Sequence, residues 1–146
     1  MAVMNGSLME VLFIDGFGGT PTAAIDLQTD CSISLSMDTR DITTKASSGW
    51  RNVLGGTRSG TLTFSALHDM TVTTGLAELM TAFNDASSPL ATGQCTVLFT
   101  TGVTGDDQFQ ADAILTSVDM SSGTEDNVTI SGTFELTGAI TFSQAT

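Results

Sequence analysis

One histidine, two cysteines and a scatter of carboxylates are the side chains here that could run a reaction or hold a metal. His68 is followed by Asp69. Neighbours along an extended chain point to opposite faces, so the two cannot act as a base and its orienting acid. His68 also continues the apolar phase of the segment before it and reads as a strand-end residue. Cys31 and Cys95 match no metal spacing and read as two buried free thiols rather than a disulfide. Asp106-Asp107 and Glu125-Asp126-Asn127 lack the alternating ligands of a calcium loop and read as solvated turns. Gly16-Phe17-Gly18-Gly19 lacks the dinucleotide spacing, and no glycine-rich run leads into Lys-Ser or Lys-Thr. These residues point to no catalytic, cofactor or metal site, and no enzyme is legible.

The cations carry more information. All four, Arg40, Lys45, Arg51 and Arg58, fall in residues 40–58 together with the sole tryptophan, Trp50. That window holds one acid, Asp41, for a local charge of +3, whereas the rest carries 15 acids and no base, giving −12 overall. A lone indole is costly to leave wet, and Trp and Arg are enriched where interfaces are strongest. Arg40, Lys45, Trp50, Arg51 and Arg58 are therefore the expected contact site, and an acidic surface of a second copy is the most economical partner. The net charge argues against a groove that grips nucleic-acid phosphates. It permits a wall past which a polyanion slides.

Around this window the chain reads as strands. Its 25 threonines and 15 serines favour extended segments and turns, and 40% apolar residues with positive mean hydropathy argue against disorder. Strands are expected at Ser7–Ile14, Ala23–Leu27, Cys31–Met37, Thr61–Ala66, Gln94–Thr101, Phe109–Met120, Val128–Leu136 and Ala139–Phe142. Asp38–Arg58 reads as a long polar loop, and loops beyond about 12–15 residues are usually functional or disordered. Leu76, Leu79, Met80 and Phe83 form one apolar stripe at helical spacing, predicting a helix over about 75–85 capped by Thr74 and ended by Asn84 to Pro89.

Several strands back an apolar face with small hydroxyls, as a sheet wetted on one side does. Glu135 lies on such a hydroxyl face, between Thr133 and Thr137. Strict alternation places Asp112 and Asp119 on opposite faces of their strand, so at most one of them shares Glu135's orientation. The 146 residues fit one domain, 1–146. No basic segment or long apolar run suggests a secretory signal or a membrane span.

The run Ile33-Ser34-Leu35-Ser36-Met37-Asp38-Thr39-Arg40-Asp41-Ile42-Thr43-Thr44-Lys45, then Gly49-Trp50-Arg51, then Gly60-Thr61-Leu62-Thr63-Phe64-Ser65-Ala66, resembles the major tail protein (tail tube protein) of long-tailed bacteriophages. The likeness is specific over roughly residues 31–69 and is one of element order elsewhere. It implies a mainly β fold: a single-domain β-sandwich or half-barrel with one flanking α-helix and a long inter-strand loop. It further implies a structural virion protein, made in the host cytoplasm, whose hexameric rings stack into a hollow tube that passes the genome. Glu135 then becomes the candidate lumen-facing acid. The implied partners are further copies and other tail proteins (tape measure, tail terminator, distal tail). DNA would be met only in passage, and no membrane or cofactor is implied.

The competing reading is a monomeric carbohydrate-binding or adhesin module that stacks a sugar on Trp50. The chain has no tyrosine and no second exposed aromatic row to support it. An ice-binding surface would need a regular Thr-x-Thr array and a repeat, and neither is present.

Overall fold

The structure, a computed structural model, describes residues 3–21, 23–25, 27–68, 76–84 and 93–146. Its strands are β1 (Glu10–Asp15), β2 (Ala23–Ala24), β3 (Gln28–Asp41), β4 (Val53–Leu67), β5 (Gln94–Thr100), β6 (Asp107–Ser121) and β7 (Thr129–Gln144), with one helix, α1 (Leu76–Phe83). All seven strands join one antiparallel sheet in the order β2-β1-β5-β6-β7-β4-β3.

The sheet curls until its two ends meet. At one end, the Gln28 side-chain amide of β3 accepts from Val11 N (2.9 Å) and donates to Val11 O (2.8 Å) of β1, which lies beside the short edge strand β2 at the other. Gln28 also donates to Ile25 O (2.7 Å), and Ile25 N donates to Val11 O (3.1 Å). A side chain thus replaces one rung of strand pairing, which gives the half-barrel form of the expected fold.

The concave face holds the core. Val11, Phe13, Leu62, Phe64, Val97, Leu115 and Phe134 are all buried there. Phe134 sits at its centre, with ring centroids 5.7 Å from Phe64 and 6.4 Å from Phe13. Burial of each such side chain contributes about 1.5–3 kcal/mol. The packing needs Gly132, because a Cβ there would lie 2.6 Å from the Phe64 ring. Helix α1 closes the core over β5 and β6 through Leu79 and Ala82, while Met80 and Phe83 of the predicted stripe stay exposed. Thr74 and residues 85–89, expected to bound the helix, lie outside the described residues.

Several boundaries differ from the sequence expectation. Residues 6–8 form a 3-10 turn in which Asn5 Oδ1 accepts from Ser7 N (3.0 Å), so the first strand starts later, at Glu10. The second strand shrinks to Ala23–Ala24. The last two expected strands are one, β7, with Gly138 in the left-handed region (φ 74°) where the β6 pairing slips between Gln110 and Asp112. Cys95 is buried, but Cys31 is only partly covered, its thiol donating to Met9 O at 3.4 Å.

The largest difference concerns the long loop. Strands β3 and β4 run deep into residues 38–58 and leave only 42–52 as a connection. Glycines and polar side chains in that stretch hide the alternation from sequence. A bulge between Met37 and Thr39, where β4 carries one extra residue, also breaks its phase. No helix among the described residues is long and apolar enough to cross a membrane.

Candidate assembly surfaces

Three surfaces stand out: a projecting arm, a hydroxyl-rich face and a forked cleft. The arm follows from strand register. Strand β4 pairs with β7 only from Gly60 to Leu67, whereas its pairing with β3 continues out to Asp41–Val53. Residues 36–41 and 53–59 thus form a free two-stranded ribbon. Apolar side chains stand open along it, including Met37 (50% exposed), Leu54 (53%) and, at the tip, Trp50 (79%).

The tip is ordered by its own polar groups. Ser47 Oγ accepts from Thr44 N (3.1 Å) and from Asn52 Nδ2 (2.9 Å), and Trp50 N donates to Ser47 O (2.9 Å). Ser48 (φ 53°) and Gly49 (φ 83°) turn the chain back. Asp41 Oδ1 accepts from Thr43 N at 2.8 Å, and Asp41 faces Arg51 at 3.4 Å. Hydrogen bonding from Thr43 first, and Arg51 last, holds the Asp41 carboxyl below the usual carboxylate range. Both partners of the ion pair are exposed, so it fixes the tip only weakly. Arg40, Lys45 and Arg58 make no ion pair among the described residues. Four of the five predicted contact residues, Arg40, Lys45, Trp50 and Arg51, lie in the outer arm, and Arg58 lies at its root.

The convex face of the sheet is lined by small hydroxyls. Ser32 and Thr63 hydrogen-bond across strands at 2.6 Å, Ser36 and Ser59 at 2.8 Å, and Ser121 and Thr129 at 2.8 Å. Glu135 lies on this face opposite Thr61, Asp119 opposite Ser131, and Asp30 opposite Ser65. Asp112 and Asp119 do not stand on opposite faces as strict alternation predicts. A bulge at Thr116, between Leu115 and Ser117, adds one residue to β6 and resets its alternation, so both acids join Glu135's face. Asp112 is then covered by the turn after β1, accepting from Gly18 N (3.1 Å) and Thr96 Oγ1 (3.0 Å). Asp30, Asp119 and Glu135 remain exposed. Asp30 and Asp119 are further acids of this face: Asp30 continues the alternation of Ser32, Ser34 and Ser36 just before the expected strand start at Cys31, whereas no local signal reveals the bulge that places Asp119.

Other candidate chemistry stays structural. His68 N donates to Val128 O (2.9 Å) at the end of β4, and Asp69 lies outside the described residues. Asp106 accepts from Thr101 Oγ1 (2.7 Å), and Asp126 accepts from Asn127 N (2.8 Å), so both acidic turns spend carboxylates on turn bonds. Among the described residues no three metal-ligating side chains gather.

Residues 4–142 match the family model described as phage tail tube protein. The chain belongs to the phage tail tube family. It is a structural protein of the tail, with no enzymatic relative among these matches. Solved structures share this tail tube fold. One is the tail of an empty gene transfer agent particle refined with C6 symmetry (21% identity, TM-score 0.74, 97% of this chain and 99% of that one). Another is the SPP1 tail tube (13%, 0.70, 97% and 80%). A third is the six-fold symmetrised baseplate of an anti-feeding prophage (10%, 0.65, 99% and 97%). No curated protein is significantly similar to this tail tube chain in sequence.

Proposed function

We propose that this tail tube subunit assembles into hexameric rings that stack into a hollow tube through which the genome leaves the virion. The observation that carries the proposal is the likeness, over nearly the full length of both chains, to the subunit of a C6-symmetric tail. Two features of this chain support it. The convex face offers hydroxyls with Asp30, Asp119 and Glu135 and holds one cation, Arg40, out on the arm. Such a wall stays wet and repels phosphates, so DNA moves along it without sticking. The arm meanwhile gathers the cations of an otherwise acidic chain, which suits contacts between unlike faces of neighbouring copies. In this reading Arg40, Lys45, Trp50, Arg51 and Arg58 meet other subunits and Glu135 faces the bore. The tape measure, tail terminator and distal tail proteins would be its other partners in the tail. Negative-stain microscopy of the purified protein across concentration and salt tests the assembly step. Hollow tubes or six-membered rings are expected, and a stable monomer under every condition overturns it.

A further inference from the structure

At the base of the arm the sheet forks. Above Gly60 and Leu136, β4 leaves with β3 while β7 continues with β6. The fork encloses a cleft of about 430 Å³, its apolar walls made by Leu35 and Met37 on one side and Leu136 and Ile140 on the other. Gly60 forms the floor, where a Cβ would lie 2.8 Å from both Leu35 and Leu136. Arg58 is the one charged residue lining it, paired in register with Met37.

Strand direction places a complementary element at the opposite pole. Strand β7 enters the sheet at Thr129, directly after the β6–β7 turn, and reaches the fork seven residues later at Leu136. The turn, residues 122–128, therefore stands at the far end of the same strand. It carries Glu125 and Asp126, both exposed, and no cation. Asp126 is committed to Asn127 N, whereas Glu125 projects from a left-handed position (φ 61°).

We propose that the forked cleft is the socket for the β6–β7 turn of a second copy, with that copy's Glu125 seated on Arg58. The inference rests on the stacked-ring reading above and names the contact that would run along the stack. Translation of one copy along its strands carries the turn at one pole onto the fork at the other. The contact joins unlike surfaces, so it does not close on a pair and leaves a free socket and a free turn at the two ends. The charges are opposite, which orients the stack and disfavours head-to-head meeting, where socket meets socket and cation meets cation. The neighbouring arm cations, Arg40, Lys45 and Arg51, extend the same positive field toward the incoming turn.

The test is a reciprocal charge exchange. Wild type, Arg58→Glu, Glu125→Arg and the double exchange are compared by negative-stain tube length and light scattering, with thermal melting to confirm that each subunit folds. Each single change should cut assembly about tenfold or more, and the double exchange should restore it to within about twofold, as coupling of a direct pair requires. Ala139→Trp, which fills the exposed rim of the cleft without touching charge, should also block assembly. Normal tubes from the single variants, or a double exchange no better than either single, overturn the socket while wild-type tubes leave the tube reading standing. Rescue of Arg58→Glu by Glu78→Arg instead would put helix α1 in the cleft and equally overturn it. A wild type that never assembles removes the reading and the socket together.

Discussion

The side-chain amide of Gln28 hydrogen-bonds both backbone groups of Val11, at 2.9 and 2.8 Å, across the gap between the first and last long strands of the sheet. Geometrically it does what a paired residue in a neighbouring strand would do. It ties the edge of β3 to β1 at the root of the hairpin whose far end is the arm. The closure of the half-barrel and the placement of the arm therefore share one residue.

Replacing Gln28 by Ala should leave the Val11 N–H without its side-chain acceptor and take one donor from the Val11 and Ile25 carbonyls, at a part-buried site. A loss of about 1–3 kcal/mol is expected in chemical denaturation. Gln28→Glu keeps the acceptor for Val11 N but cannot donate to Val11 O, so it should recover only part of that loss.

Arg51→Glu combined with Arg58→Glu reverses the field of the arm without touching the core. The subunit should melt as wild type does, because both positions are exposed. Tube formation should be lost in light scattering. Wild-type assembly should itself change with ionic strength, since exposed charges are screened over about 8–10 Å near physiological salt.

The tip should respond to acid. Hydrogen bonds from Thr43, with Arg51 adding to them, lower the folded carboxyl of Asp41. A lowered carboxyl contributes its order above the ordinary carboxylate range, and that contribution is lost as pH falls through the folded value, below about pH 4. Trp50 stands at the same tip, so its fluorescence anisotropy should drop in that window. Asp41→Asn should flatten the transition.

Cys95 predicts behaviour at the other end of the scale. Burial, then the charges of Asp15 and Asp112, push its thiol up to about 12. The neutral thiol is the form that the core accepts. Its contribution is intact below the ordinary thiol range and declines as pH rises from about 9 toward the folded value. Thermal stability should fall over that interval, and Cys95→Ala should remove this part of the slope. Native alkylation should modify the partly covered Cys31 and spare Cys95.

The acids proposed to face the bore give a functional prediction. Glu135→Lys with Asp119→Lys should still fold, since both side chains are exposed. Tubes built from the variant should retain double-stranded DNA in a salt-dependent manner in co-sedimentation, while wild-type tubes should not. Equal retention by both would remove the convex face from the bore.

The sequence carried the fold wherever a local period survived. The core alternation of Leu62, Phe64 and Ala66 and the helical spacing of Leu76, Leu79 and Phe83 led to the right elements. It failed where one residue changed the phase. The bulges near Asp38 and at Thr116 turned an ordered arm into an apparent loop and set Asp112 and Asp119 on opposite faces. Gln28 gave no signal, because its role depends on Val11 arriving from another strand. The cationic cluster was legible in composition alone, but the fork beside Arg58 needed the register of β4 against β7.

Helical reconstruction by electron cryo-microscopy of tubes assembled from the purified chain would show which face of the sheet lines the bore and what the arm touches. Six subunits per ring are expected, with Glu135, Asp119 and the Ser/Thr ladders turned toward the bore and the arm engaged with neighbouring copies. A lumen lined by helix α1 or by the opposite face of the sheet, or an arm left free in the assembled tube, would contradict this arrangement.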